Sequence, residues 1–252
     1  MLSLRSTRYL APMCVACTLV AVSTSHARAG IALDFSSVTG GFSDGVPRVI
    51  GWEFTTGSQQ ISVDQLGVFD FGADGLLAAH SVAIYDAQTQ NAIVTATVPS
   101  GDSASLSGLF RFVTVSPTTL QANTGYIIAA SEVENADAFV WSPSIDSPSA
   151  DINGLQIDPA ITLGIASSGL PASARFEDTT STLQFPTKRI GDVFPGDPRT
   201  VFVGPNFTFT PTAVPEPSGL VLLGTGAIGV LGYARRRKAG RRLAEASTIR
   251  TS

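Results

Sequence analysis

Apolar and polar residues alternate in short runs along most of this chain, and Gly, Pro, Asp and Ser cut the runs before a helical period establishes itself. Successive side chains of an extended segment point to opposite faces, so Tyr126, Ile128 and Ala130 share one face, as do Phe110 and Phe112. The pattern predicts strands at Val49–Thr55, Ile61–Phe69, Ser81–Tyr85, Ala92–Val98, Leu109–Val115, Gly125–Ser131 and Ala138–Trp141. It predicts later ones at Ile161–Ile165, Ala174–Glu177 and Val201–Thr210. Within Ile61–Phe69 the apolar parity changes between Val63 and Leu66, which predicts a β-bulge near Asp64-Gln65. Turns are expected at Asp86–Asn91 and Pro99–Ser103, and a long loop at Asp146–Asp158, which is rich in Ser, Pro and Asp.

Many short strands at this spacing favour an all-β fold, a two-sheet antiparallel β-sandwich of jelly-roll type ahead of a barrel. No internal repeat and no second domain is visible. The sandwich domain is expected over residues 30–212, with its last strand, through Phe207 and Phe209, running onward without a long stalk.

The two ends are built differently from the body. Arg5 and Arg8 precede an apolar stretch from Leu10 to Val22, and Ala27-Arg28-Ala29 offers a small-x-small cleavage site. Residues 1–29 therefore read as a secretory signal peptide cut before Gly30, with Ser25-His26-Ala27 as the alternative site. At the other end, Gly219 to Ala234 is 16 residues without a charge. As a helix it reaches about 24 Å at roughly 1.5 Å per residue, short of a bilayer core of about 30 Å. Gly224, Gly226, Gly229 and Gly232 make that helix weak. Arg235, Arg236, Arg237 and Lys238 then act as a membrane stop, which places the C-terminal side in the cytoplasm and everything upstream outside. Pro215 and Pro217 keep the preceding peptide extended and open to a protease. On the residues alone, a processed sorting segment and an ordinary C-terminal anchor fit equally well.

Composition narrows the function classes. Cys14 and Cys17 are the only cysteines, and both lie in the leader, so the mature chain has no disulfide and stands on its hydrophobic core. Between Gly30 and Val214 there are 6 basic and 18 acidic residues, far more acidic than the whole chain's −4. Nucleic acid is excluded as a partner, because phosphate contacts need clustered Lys and Arg.

Four constellations invite chemistry. Asp70-Phe71-Gly72-Ala73-Asp74-Gly75 has the flavour of a calcium loop, with Asp70 and Asp74 as candidate ligands. It lacks the third oxygen side chain and the later Glu of an EF-hand, so a solvated β-turn is the plainer reading. His80 is the one histidine of the mature chain and is expected at the surface beside a hairpin. A serine triad through His80 and Ser103 lacks the Gly-x-Ser-x-Gly setting, and no cofactor is implied. Trp52, Trp141 and Tyr126 offer faces for sugar stacking, against the alternative that they fill the core. Asn206-Phe207-Thr208 is formally a glycosylation sequon and reads more simply as strand.

Val214-Pro215-Glu216-Pro217, the Gly-rich apolar segment and the arginine cluster, in that order, resemble the PEP-CTERM sorting signal of Gram-negative bacteria. The resemblance covers residues 213–238. It implies a transient partner, an exosortase-type membrane transpeptidase that recognises Pro215, Glu216 and Pro217. It further implies inner-membrane insertion, export to the envelope or beyond, and an association with exopolysaccharide or biofilm. Residues 239–252 extend past the basic cluster, where members of that family commonly stop. The stretch from Ile50-Gly51-Trp52-Glu53-Phe54 through Leu66–Asp70 and Val82–Asp86 to about Ala130 also resembles a sandwich domain of unknown function in exported bacterial proteins. The expectation is an exported structural or matrix protein and not an enzyme. The alternatives are a carbohydrate-binding module for exopolysaccharide, cation-assisted or not, and more remotely a secreted hydrolase.

Overall fold

The computed structural model describes residues 29–38, 46–132, 136–142, 152–164, 174–178, 180–193 and 201–212, with single positions 226, 229, 232, 233, 235 and 237. The chain opens with three two-residue strands, β1 (Gly30–Ile31), β2 (Leu33–Asp34) and β3 (Ser37–Val38). Then come β4 (Arg48–Thr56), β5 (Ile61–Phe69), β6 (His80–Asp86), β7 (Ala92–Val98), β8 (Ser105–Ser107), β9 (Phe110–Leu120) and β10 (Gly125–Glu132). Shorter strands follow: β11 (Val140–Ser142), β12 (Ile152–Asn153), β13 (Gln156–Ile157), β14 (Ile161–Leu163), β15 (Ala174–Asp178) and β16 (Lys188–Arg189). One helical turn, α1 (Ile190–Val193), precedes β17 (Val201–Val203) and β18 (Pro205–Pro211).

Six of these strands form the two-stranded pairs β11-β17, β12-β3 and β13-β2, and the other twelve make two antiparallel sheets that face each other. One has the order β1-β18-β5-β9-β8; the other has β16-β15-β4-β10-β6-β7, with β14 pairing β4 beyond the end of β15. Alternation explains which residues meet between them. Val63, Leu66, Phe110, Phe112, Phe207 and Phe209 come from the first sheet, and Trp52, Phe54, Val82, Ile84, Tyr126 and Ile128 from the second. The Phe207 ring lies 5.9 Å from that of Trp52, nearly parallel, and 5.0 Å from that of Phe54. Each such aromatic pair adds about 0.5–1.5 kcal/mol beyond the area it buries. Strand β10 is apolar on both faces because the outer face of its sheet is covered too: Val49, Ala83, Tyr85 and Ala129 pack against Leu183 and Phe185. At Gly51 the chains run so close that a Cβ would stand 2.0 Å from the Ile128 carbonyl oxygen, which only glycine permits.

The expected bulge is present. Val63 and Gln65 of β5 face Thr118 and Thr114 of β9, so Asp64 stands opposite three residues, Val115, Ser116 and Pro117. Pro117 is housed there, where its missing N–H costs no ladder bond, and β9 continues to Leu120 instead of stopping at Val115. On its other side β5 carries the extra residue, since Gln65 and Val63 pair with the adjacent Thr208 and Phe209.

Other expectations need correction. The predicted final strand is two strands divided at Gly204, where a Cβ would strike Ile50 at 2.7 Å. The expected loop at Asp146–Asp158 contains β12 and β13, which pair with β3 and β2. The N-terminal strands escape a pattern reading because each is two residues long. Of these, β2 is also held by Asn206, fully buried, whose amide accepts from the Leu33 N–H at 3.2 Å and donates to the Leu33 carbonyl at 2.6 Å. Asn206 is thus a structural staple inside a strand.

The expected signal peptide, residues 1–28 of it, lies outside the described residues, as do Val214, Pro215, Glu216 and Pro217, the positions Arg236 and Lys238, and residues 239–252. Gly226, Gly229, Gly232, Tyr233, Arg235 and Arg237 have helical backbone and are exposed. Among the described residues no helix is long and apolar enough to cross a membrane.

Candidate functional site

Three buried or half-buried charge sites stand out from the sandwich, and the first two consume residues that the sequence offers for chemistry. The first surrounds Asp70. Its carboxylate is 2 % exposed and accepts from Arg111 Nε at 2.6 Å and from the Gly75 amide at 3.1 Å. Arg111, on β9, also donates through Nη1 to the carbonyls of Asp102 (2.9 Å) and Ala104 (3.2 Å), and through Nη2 to that of Ala73 (3.3 Å). The place a cation would take beside Asp70 is filled by a guanidinium. Asp70 is therefore committed to Arg111 and not to a calcium pair with Asp74, which is exposed at the turn and takes no part in this network. Among the described residues no group of three or more His, Cys, Asp or Glu is placed to hold a metal.

The second site corrects the expectation for His80, which is fully buried. Its Nδ1 lies 2.7 Å from the Ser131 carbonyl and its Nε2 lies 2.8 Å from Asp137 Oδ2. Both partners only accept, so both ring nitrogens must carry protons and the ring is an imidazolium. Glu132, buried on β10, adds a carboxylate 3.7 Å from Nδ1. Burial opposes the charged ring, but Asp137, Glu132 and the Ser131 carbonyl outweigh it and raise its pKa to about 9. For Glu132 burial wins over the attraction of His80, and its pKa rises to about 7. Asp137 is held below the usual range despite its burial, because His80 and the amides of Leu77 and Ala78 donate to it. With both ring nitrogens occupied, His80 has no lone pair for a serine hydroxyl, and Ser103 stands exposed on its own loop.

The third site is a clasp on β4. Glu53 accepts from Arg175 of β15 at 2.5 Å and from Arg189 of β16 at 2.6 Å. These two arginines hold its pKa below the usual range against the burial that would raise it. Lys188 bridges Glu177 at 3.3 Å and Asp178 at 3.2 Å. Four of the six basic side chains of the body, Arg111, Arg175, Lys188 and Arg189, are thus engaged by its own carboxylates.

The aromatic platform is also corrected at two of its three members. Trp52 is fully buried, with Nε1 donating to the Pro205 carbonyl at 2.9 Å, and Tyr126 is buried with its hydroxyl accepting from the Gln121 amide at 2.8 Å. Neither has a face for a sugar. Trp141 pairs through its backbone with Phe202, and its side chain lies outside the described residues.

What remains is the exit of the chain. β18 ends at Pro211, and the next residue, Thr212, still donates its amide to the Gln60 carbonyl at 2.8 Å. The segment Ala213-Val214-Pro215-Glu216-Pro217 follows at once, then the apolar stretch and the arginines.

Residues 213–238 match the PEP-CTERM protein-sorting motif.

The PEP-CTERM match begins at the residue after Thr212, whose amide makes the last hydrogen bond to the sandwich among the described residues. It implies an exported protein that an exosortase sorts to the envelope or the outside. No curated protein matches the chain. Sequence reasoning found this motif from residue order alone. It missed Arg111, Glu132 and Asp137, whose one visible signal is Glu132 closing the apolar run Tyr126–Ala130.

Proposed function

We propose that this protein is a structural component of the cell envelope or extracellular matrix, an all-β cargo that an exosortase-type transpeptidase separates from its tail at Pro215-Glu216-Pro217. In this reading the helix after the motif inserts in the inner membrane with Arg235, Arg236, Arg237 and Lys238 on the cytoplasmic side. Its short, Gly-rich span serves as a temporary handle. The observation that carries the reading is the join at Thr212–Ala213, where a hydrogen-bonded domain passes directly into the matched motif.

A role without catalysis is supported by how fully the polar side chains are engaged: His80, Arg111, Asp70 and Glu53 all bond to groups of the fold itself. An association with exopolysaccharide or biofilm rests on the resemblance of the tail. Mass spectrometry of the exported form tests the processing. Peptides should reach the motif and stop near Pro217, and in cells lacking the sorting protease the protein should stay with the inner membrane. An intact arginine-rich tail on the exported form would overturn the proposal.

A further inference from the structure

The leader is expected to be cut before Gly30, and Gly30 is also the first residue of β1. The segment that begins there is inserted between two strands. On one side Gly30 and Ile31 pair with Phe209 and Thr208 of β18, and the Ala32 amide donates to the Phe207 carbonyl at 2.9 Å. On the other side the Asp158 amide donates to the Ala32 carbonyl at 3.1 Å, and Leu33 and Asp34 pair with Ile157 and Gln156 of β13. The expected cut thus falls at the first residue of the first strand, at the edge of the described residues.

A cavity of about 360 Å³ opens at this edge, with Ala29, Gly30, Asp34, Gln156 and Asp158 among its lining residues; the lining includes two carboxylates and no cation. Asp158 accepts from the Ala160 amide at 2.9 Å through Oδ1, which orients the carboxylate. Its Oδ2 is turned on Gly30 so closely that a Cβ there would stand 2.5 Å away. In a body with three acidic residues for each basic one, the half-buried Asp158 and the exposed Asp34 stand at an open cavity whose lining residues bring no cation.

We infer that the ligand of this pocket is the protein's own new N-terminus, the α-ammonium of Gly30, received by Asp158 with Asp34 beside it. The inference rests on the export reading. Hydrolysis by a leader peptidase adds water across the Ala29–Gly30 amide: Ala29 leaves with the carboxylate, and the Gly30 nitrogen takes up protons to become a cation with three donors. An amide that offered one N–H is replaced by a charge beside the Asp158 carboxylate, whose Oδ2 faces Gly30. Glycine fits because any side chain at position 30 would occupy the Asp158 carboxylate's position. The consequence reaches the other terminus. β1 is bound to β18 with Gly30 opposite Phe209, two residues before β18 ends, so docking the N-terminus secures the strand that delivers the sorting motif.

The test uses the exported protein. Its first residue is read by N-terminal sequencing, and the pH dependence of labelling at its α-amine is followed by mass spectrometry in the native state and in urea. The expected result is Gly30 as first residue, with an α-amine pKa about one unit higher native than unfolded, as an adjacent carboxylate produces. In Asp158→Asn the difference should shrink to within error. If that variant does not fold, the native-against-urea comparison on the unaltered protein decides by itself. Gly30 with no native shift overturns the docking and leaves the export reading standing. A different first residue on a processed protein overturns the site, and an exported protein with its leader intact overturns both.

Discussion

Arg111 with Asp70 and His80 with Asp137 are two ways of burying charge in one small sandwich. Both pairs tie a strand to a loop, and both put a short bond, 2.6 Å and 2.8 Å, between cation and carboxylate. They differ in the cation. A guanidinium stays charged at any pH a protein meets, and this one gives three of its four remaining donors to backbone carbonyls. The imidazolium exists only because its surroundings demand two protons, and a second acid, Glu132, crowds it without a hydrogen bond of its own to the ring. The first site is a fixed weld; the second is a joint whose strength depends on pH.

Breaking the weld should produce the largest effect. Arg111→Met keeps much of the volume but strands the Asp70 carboxylate in the interior, and breaking a buried pair from one side costs about 3–5 kcal/mol. Urea denaturation at neutral pH should show that loss, and the double variant with Asp70→Asn should recover part of it. A loss below about 1 kcal/mol for the single variant would mean that the pair is solvated and the contrast between the sites is false.

The joint is probed by pH. His80 has a folded pKa of about 9 against an ordinary 6.5, so the folded state holds the extra proton. Its contribution is complete below pH 6.5 and is lost as pH rises through 9, roughly 3 kcal/mol in all at about 1.4 kcal/mol per unit. Glu132, raised from 4.5 to about 7, acts in the same direction over a lower window, with stability falling as pH climbs from 4.5 through 7. Stability should therefore decline from mildly acidic to alkaline pH, and the alkaline part should vanish in His80→Gln. A flat profile between pH 6.5 and 9 would show that His80 is neutral and the two sites are alike.

The contrast was hidden from the sequence for a physical reason. Strands announce themselves locally, so Ile61–Phe69 and Ala92–Val98 were legible to the residue, and the parity change at Asp64 located the bulge. Charge pairing is not local: 41 residues separate Asp70 from Arg111, and 57 separate His80 from Asp137. Ala78-Ala79-His80-Ser81 looks like a polar margin, and only the return of β10 beside β6 buries it. The two-residue strands near Gly30 fail for a related reason, since two residues carry no period. The sorting motif, a linear signal that a partner must read as a peptide, was legible in full.

Glu132→Gln should have the smallest effect and sharpens the comparison most. In the weld, removing the acid removes the partner of a buried guanidinium. In the joint, Asp137 and the Ser131 carbonyl remain to hold the imidazolium after Glu132 loses its charge. Two consequences then oppose each other. The ring loses one neighbouring negative charge, so its pKa should fall from about 9 toward the ordinary value. The interior also loses a carboxylate whose raised pKa records that burying it ionised is unfavourable. At pH 8 these should cancel to within about 1 kcal/mol, whereas the descent between pH 4.5 and 7 should flatten because its titrating group is gone. Equilibrium unfolding across pH 4 to 9, with the His80 ring followed by NMR, separates the two. A loss of 3 kcal/mol or more at pH 8 would make Glu132 an essential partner of His80, and the second site would then be a weld like the first.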